Sequence, residues 1–534
     1  MTDTTTKRGP AARVAVIGLG ACGLVTLKNL LEAGFDAVGF ERNDYMGGLW
    51  KFSPENKTTV LKTTIANLSK QGGCYTDFPF SDSVVGNYAT ADQFAQYFEE
   101  YAKAFGLLDR VKLGMPVEKI SRSKSNDGWE ISFRPRGKEQ VETATFDKVA
   151  LCHGLQVQEP KMPKIEGIDT FTGLAMHSNE YKGPEPFNGK TVVVVGMGNT
   201  GPDVACDLVG HASKVYLSHR RGHAILSRNR NGKPADHIIS MRLTVFAGLF
   251  NKYFPNLSQR AALFGLKKIQ DKTWEVKPEW NLHPFPLPTR GGPTMNEDLV
   301  PYLHAGKIGL LSGLKRVNGG TLELYDGSHV ENIDAIIFCT GFRANYSIID
   351  AAVNPCRDTR KDWPTLKGAN GRPLPRLYQG LFSLDYPDSF AILGTSPFTP
   401  QACLNYDLCS MAVAQVWKGN SSLPSLEEMN KHVDAQHEVV CKIASTGDLF
   451  NTNFRNNWDW FKWADQAAGL GLVKRIGYGV EGWKFWWNDR ALCRLVLDGL
   501  MSPHIMRLFD EGKRKPWDGA REELEKVNGV SKKG

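Results

Sequence analysis

Short apolar runs that stop at glycine set the pattern of this chain. Arg13-Val-Ala-Val-Ile-Gly-Leu-Gly-Ala-Cys-Gly23 is such a run, followed by a helical stretch from Leu24 to Glu32, a turn at Gly34, and a second apolar strand, Ala37 to Phe40, closed by Glu41. The order returns at Thr191-Val-Val-Val-Val-Gly-Met-Gly-Asn-Thr-Gly201, with a helix from Pro202 to Leu208 and a strand from Lys214 to Leu217. Continuous β-branched runs alternating with helices predict parallel strands buried on both faces. Two further apolar strands that run into glycine, Asp147 to Gly154 and Asp334 to Phe342, frame the second unit and predict where the chain crosses between the two. The fold class is therefore α/β: two Rossmann-like dinucleotide-binding domains, the second inserted into the first, with a helical, aromatic-rich C-terminal cap. The expected divisions are a flexible N-terminus over 1–12, the first domain over 13–165, the second over 166–335, a return to the first over 336–440 and the cap over 441–534.

Each glycine of the fingerprint has a physical task. Gly18 permits the sharp turn, Gly20 lets the backbone approach a pyrophosphate, and Gly23 allows close helix–strand contact, with Leu19, Ala21 and Cys22 completing the loop. Amides at the helix start then face the phosphates at the positive end of the dipole. Glu41 can accept from a ribose 2′-hydroxyl and would repel a 2′-phosphate; Arg42 follows it at the same strand end. In the second copy Gly196, Gly198 and Gly201 repeat the pattern around Asn199 and Thr200, with Asp203 in the helix. There the strand runs into Ser218-His219-Arg220-Arg221-Gly222 without an acid, and arginines can clamp a 2′-phosphate bidentately. The contrast assigns FAD to the first site and NADPH to the second. Two such sites in one chain suit a flavin enzyme fed by a nicotinamide cofactor better than a dehydrogenase, which needs one.

Composition changes this picture little. The 534 residues are 41% hydrophobic and 23% charged, enough for several cores and against disorder. A net charge of +8 over this length is no nucleic-acid signature and fits an anionic cofactor equally well. Ten scattered cysteines include no C-x-x-C, which predicts a reduced chain without a structural metal and weighs against a flavin disulfide reductase. Met1 to Pro10 lacks an apolar signal core and no run reaches the roughly 18 to 20 apolar residues of a spanning helix, so a cytoplasmic protein is expected. Peripheral association remains open. Ile238 to Ile269 sets Leu243, Val245, Phe246, Leu249, Phe250 and Phe254 among Arg242, Lys252, Arg260, Lys267 and Lys268, a pattern that packs on a core, lines a tunnel or lies on a bilayer surface. The tryptophans from Trp458 to Trp487 read as an aromatic-packed cap. Oligomeric state is left open, a dimer being compatible.

Phe171-Thr-Gly-Leu-Ala-Met-His-Ser-Asn-Glu-Tyr-Lys182, between the fingerprints, matches F-x-G-x-x-x-H-x-x-x-Y/F followed by a basic residue. With Phe40 to Trp50, Thr64 to Lys70, Asp77 to Phe80 and Trp517 to Arg521, it resembles the flavin-containing monooxygenases over roughly Arg13 to Val527. The resemblance implies an FAD- and NADPH-dependent enzyme that N- or S-oxygenates soft small molecules with O2 through a flavin hydroperoxide. It implies a flavin-contacting turn at Gly48, Leu49 and Trp50, a catalytic Asn67 beside Ala66 whose amide faces flavin and oxygen, and Asn199 and Thr200 at the nicotinamide dinucleotide. His177 and Tyr181, at helix-like spacing, are expected to position and couple the domains rather than move protons. Three departures stand out: Cys22 for serine, His153 for threonine, and, near the C-terminal return, Cys409 for an amide, while Asp407 keeps the place of the acid. A Baeyer–Villiger oxygenase acting on ketones, which usually carries tryptophan where Tyr181 stands, and an uncoupled NADPH oxidase are the alternatives.

Overall fold

The computed structural model describes residues 11–55, 57–154, 158–394 and 401–529; the expected flexible N-terminus lies outside these up to residue 10, as does the chain from residue 530. Arg13–Ile17 sits within a seven-stranded sheet ordered Leu377–Tyr378, Phe382–Ser383, Phe390–Ile392, Lys148–Leu151, Arg13–Ile17, Asp36–Phe40, Val111–Lys112. From Phe390–Ile392 onward its neighbours are parallel; the other edge is antiparallel. Thr191–Val195 is the middle strand of a second, wholly parallel sheet ordered Ile308–Ser312, Lys214–His219, Thr191–Val195, Ala335–Phe338, Leu174–His177. Val14, Ala15, Val16 and Val192 to Val194 have no exposed surface, which is why these strands read as unbroken apolar runs.

Strand order also shows the insertion. The chain leaves the first sheet after Lys148–Leu151, builds the second, and returns with Phe390–Ile392 beside the strand it left. Outgoing and returning linkers lie side by side, Glu159–Pro160 pairing antiparallel with Phe342–Arg343. Two expected divisions need correcting. The one after residue 335 falls inside Ala335–Phe338, a strand of the second sheet, and the one after residue 440 falls inside the helix Leu426–Ser445. Hydrophobic pattern locates elements better than the units they join.

Helix Ala21–Glu32 packs against the buried helix Ala402–Trp417, and a charged cluster ties both to the C-terminal segment. Asp407, fully buried, accepts from Asn29 Nδ2 at 2.8 Å, from the Thr76 amide at 3.0 Å and from its hydroxyl at 2.6 Å. Arg507 reaches Asp77 at 3.0 Å and Asp407 at 3.5 Å. Asp407 is thus a cross-brace of the first domain. Helices Asn457–Ala468 and Val480–Asn488 carry the expected aromatic packing, with Trp460 near Trp463 and Trp483 near Trp486. The amphipathic stretch is two helices, Met241–Tyr253 and Pro255–Thr273, that leave Phe246, Tyr253, Phe254 and Phe264 exposed. No helix of the described residues is long and apolar enough to cross a membrane.

Candidate active site

Both fingerprints form the same device at the carboxyl ends of their strands, where open α/β sheets bind ligands. Gly18 has φ +91° and Gly196 φ +122°, conformations that favour glycine. A Cβ on Gly23 would lie 1.7 Å from the Gly18 carbonyl oxygen, and one on Gly201 1.8 Å from that of Gly196. No larger residue fits without separating helix from strand. Ala21–Glu32 and Thr200–Asp207 both start without a side-chain cap, at Gly20 and Asn199; no side chain takes the first amides of the former, whereas in the latter the Gly201 amide donates to Gly198 O and Pro202 has no N–H. A Cβ on Gly198 would meet open space, and Gly20 and Gly48 face each other so closely that a Cβ on Gly48 would stand 3.0 Å from the Gly20 Cα. Bare backbone in these places is what a pyrophosphate needs.

The strand ends differ as the sequence predicts, with one shift. Glu41 is buried, and its two carboxylate oxygens accept from the Leu19 amide at 2.8 Å and the Asn43 amide at 2.9 Å, which holds the turn while leaving acceptor capacity on each oxygen. The Gly18 amide donates to Phe40 O and the Gly196 amide to Ser218 O, so His219 occupies the position of Glu41. Its ring nitrogens lie 3.0 Å from the Arg221 carbonyl and 3.1 Å from that of Trp280, and Arg220 and Arg221 follow, exposed. Arg42 is exposed too. Trp50 stacks on Phe94 at 4.3 Å and braces the Gly48–Trp50 turn. A hydrogen bond with Cys152 and burial push the Cys22 thiol well up, which disfavours its thiolate. Asn199 Oδ1 accepts from the Met295 amide at 3.2 Å, and burial pushes Asp203, bonded to Asn296 at 3.0 Å, up to about 6.

Between the cradles lies a residue that the sequence reading missed. Arg228 is 7% exposed and forks in two directions. It pairs with Glu297 at 2.5 Å and donates to Ala66 O at 3.2 Å, Ile65 O at 3.3 Å and Asn67 Oδ1 at 2.9 Å. Guanidinium groups only donate, so the contact fixes the Asn67 amide with its oxygen toward Arg228 and leaves Nδ2 free to donate elsewhere. The Asn67 side chain is exposed. Nearby, Asp207 accepts from Tyr181 at 2.7 Å and from Thr63 at 3.3 Å, joining the linker motif, the Thr63–Asn67 loop and the second helix. His177 ends the strand Leu174–His177 and its Nε2 lies 3.0 Å from the Gly341 carbonyl on the returning linker. The four-residue spacing of His177 and Tyr181 is therefore not helical, and each has a separate fastening task.

Two glycine-turn cradles at the carboxyl ends of strands in nested α/β domains are the arrangement of a two-nucleotide oxidoreductase. The chain belongs to the flavin-binding monooxygenase-like family, whose sequence model matches residues 11–529. FAD and NADPH are the cofactors of this family. The chain is 44% identical over 97% of its length, and 98% of the relative's, to "Monooxygenase aurF" of Gibberella zeae. It is 30% identical to flavin-containing monooxygenase 5 of Oryctolagus cuniculus, over 96% of this chain and 91% of that one. Among solved structures, S-allyl-L-cysteine S-oxygenase from Allium sativum shares the fold with a TM-score of 0.63 at 21% identity, covering 97% of this chain and 99% of that chain.

Proposed function

We propose that this protein is an NADPH- and O2-dependent monooxygenase that places one oxygen atom on a soft nitrogen or sulfur of a small molecule. For a thioether the reaction balances when one thioether, one O2, one NADPH and one proton give one sulfoxide, one water and one NADP+. The Gly18–Gly23 cradle would hold FAD and the Gly196–Gly201 cradle NADPH, which when bound would supply the oxygen-activating chemistry and the reducing equivalents. The chain's own contribution is a preorganised donor: Arg228 holds Asn67 by its Oδ1 at 2.9 Å, which leaves Nδ2 as the donor, and that contact carries the reading. Asn67 has no proton to take or give at neutral pH, which suits a reaction in which a neutral amine or thioether lone pair attacks oxygen. Tyr181, held by Asp207, supports this over the Baeyer–Villiger reading, whose members usually have tryptophan there.

Product stoichiometry tests the proposal. With a thioether or tertiary amine, one oxygenated product is expected per NADPH and per O2 consumed. Turnover of ketones alone would replace it with the Baeyer–Villiger reading, and stoichiometric hydrogen peroxide with an oxidase. The glycine clashes separate the two cradles: Gly23→Ala should yield protein without flavin, whereas Gly201→Ala should keep FAD and lose NADPH binding. Flavin absorbance and NADP+ titration read the two independently. Arg220→Ala should raise KM for NADPH by about ten- to a hundredfold, the worth of a charge-assisted phosphate contact, with little change for NADH. Equal changes for both nucleotides would remove Arg220 from the 2′-phosphate site.

A further inference from the structure

A two-stranded parallel ribbon, Ile225–Leu226 beside Thr294–Met295, joins the second cradle to the Asn67 loop. Three consecutive residues fasten it to the cradle. The Thr294 hydroxyl donates to the Met197 carbonyl at 2.7 Å, the Met295 amide to Asn199 Oδ1 at 3.2 Å, and Asn296 Nδ2 to Asp203 Oδ1 at 3.0 Å. The fourth, Glu297, pairs instead with Arg228, which follows the first strand of the ribbon and holds Asn67 Oδ1 at 2.9 Å. Thr294, Asn296 and Arg228 are buried, where a low local dielectric strengthens such contacts. The other polar link between this loop and the second helix, from Thr63 to Asp207, is longer, at 3.3 Å, and lies four residues before Asn67.

Asn296 is the joint of this ribbon. Its backbone amide donates to the Leu226 carbonyl at 3.0 Å, and its Oδ1 accepts from the Asp298 and Leu299 amides at 3.0 and 2.8 Å, which fixes the turn into the helix Leu299–His304. With the oxygen engaged twice, Nδ2 is committed to Asp203 on the cradle helix. Coupling between sites is carried by such contiguous fixed contacts when both sites bias the same element. We propose that the ribbon is a strut through which the second cradle sets the Asn67 amide, with Asn296 as its positioning residue. A dinucleotide seated against Asn199 steadies the cradle, and the run from Thr294 to Glu297 carries that order to Arg228 and so to the donor. The strut rests on the readings that the second cradle takes NADPH and that Asn67 is the donor. Oxygen transfer then depends on a residue that reaches Asn67 only through Glu297 and Arg228.

Asn296→Asp tests the strut, because it is nearly isosteric and keeps the oxygen that holds the Asp298 and Leu299 amides while setting a second carboxylate against Asp203. Burial already pushes Asp203 up to about 6; its charged and titratable neighbours are Asp207 one turn along the same helix, Glu297 beside Asn296, Arg228 paired with Glu297, and the Cys206 and Cys339 thiols. Two touching carboxyl groups share a proton at low pH and repel once both ionise. With a thioether, which does not titrate, the variant should give near wild-type sulfoxide per NADPH at about pH 6 and roughly tenfold less at about pH 8.5, the remaining electrons appearing as hydrogen peroxide. The wild type should stay flat. Hydrogen exchange of the FAD-loaded protein reads the strut apart from turnover: saturating NADP+ should slow exchange across residues 65–70 in the wild type and not in the variant at the higher pH. A variant that stays coupled at both pH values, keeps the NADP+-dependent protection, or loses product equally at both would overturn the strut. A wild type that does not bind NADP+, or an Asn67→Asp variant that stays coupled, would instead overturn the readings on which it rests.

Discussion

Asn67→Asp is expected to leave FAD bound and reducible by NADPH while cutting oxygenated product by about 10²–10³-fold, the cost of removing one positioned donor from an active site. The substitution is nearly isosteric and retains an oxygen for Arg228 Nη2, now 2.9 Å from Asn67 Oδ1, so the loop and its anchor survive. What disappears is the Nδ2 donor. NADPH and O2 should still be consumed, with the electrons emerging as hydrogen peroxide instead of sulfoxide or N-oxide. Asn67→Ala should uncouple as well, but it also takes from Arg228 Nη2 the nearer of its two acceptors, leaving the Ile65 carbonyl at 3.3 Å, and therefore mixes a structural loss with a chemical one. Measuring product and peroxide per NADPH for both variants separates these effects. An aspartate variant that still yields one product per NADPH would take Asn67 out of the chemistry.

The two cradles were legible in the sequence because their requirements are local. A glycine needed for φ +91° at residue 18, or for the 1.7 Å gap at residue 23, is dictated by neighbours a few positions away, and the same spacing recurs at Gly196 and Gly201. The insertion was legible as well, from where the apolar strands fall. Arg228 was not. It lies 161 residues from Asn67 in a polar segment with no period, and a buried guanidinium there looks like any surface arginine. The His177–Tyr181 spacing misled for a related reason: four residues separate them, but a strand end and a turn, not a helix, make up the interval. Similarly, the strand read as Lys214 to Leu217 runs on to His219, which takes the place of Glu41. Elements and steric devices follow from short-range pattern, whereas polar contacts between domains depend on a tertiary arrangement that pattern does not encode.

Arg228→Leu should damage both the fold and the coupling of oxygen transfer. It removes the fork that joins Glu297 to the Ile65–Asn67 loop, strands the Ile65 and Ala66 carbonyls, and leaves part of the Glu297 carboxylate unpaired. Breaking a buried charge pair from one side costs about 3–5 kcal/mol. The lower end is expected here, because Glu297 keeps the Ser227 hydroxyl at 3.3 Å and the residue 228 amide. A lower thermal midpoint of the FAD-loaded protein checks this. Arg228→Lys is the more informative variant, since a lysine keeps the charge for Glu297 but lacks the planar fork that reaches the loop at the same time. It should fold with its flavin and yet release hydrogen peroxide, as Asn67→Asp does, because the asparagine is no longer held. If Arg228 acts through Asn67, the double variant Asn67→Asp with Arg228→Lys should be scarcely less coupled than Asn67→Asp alone. Multiplied losses would mean that the guanidinium serves oxygen transfer by a route of its own.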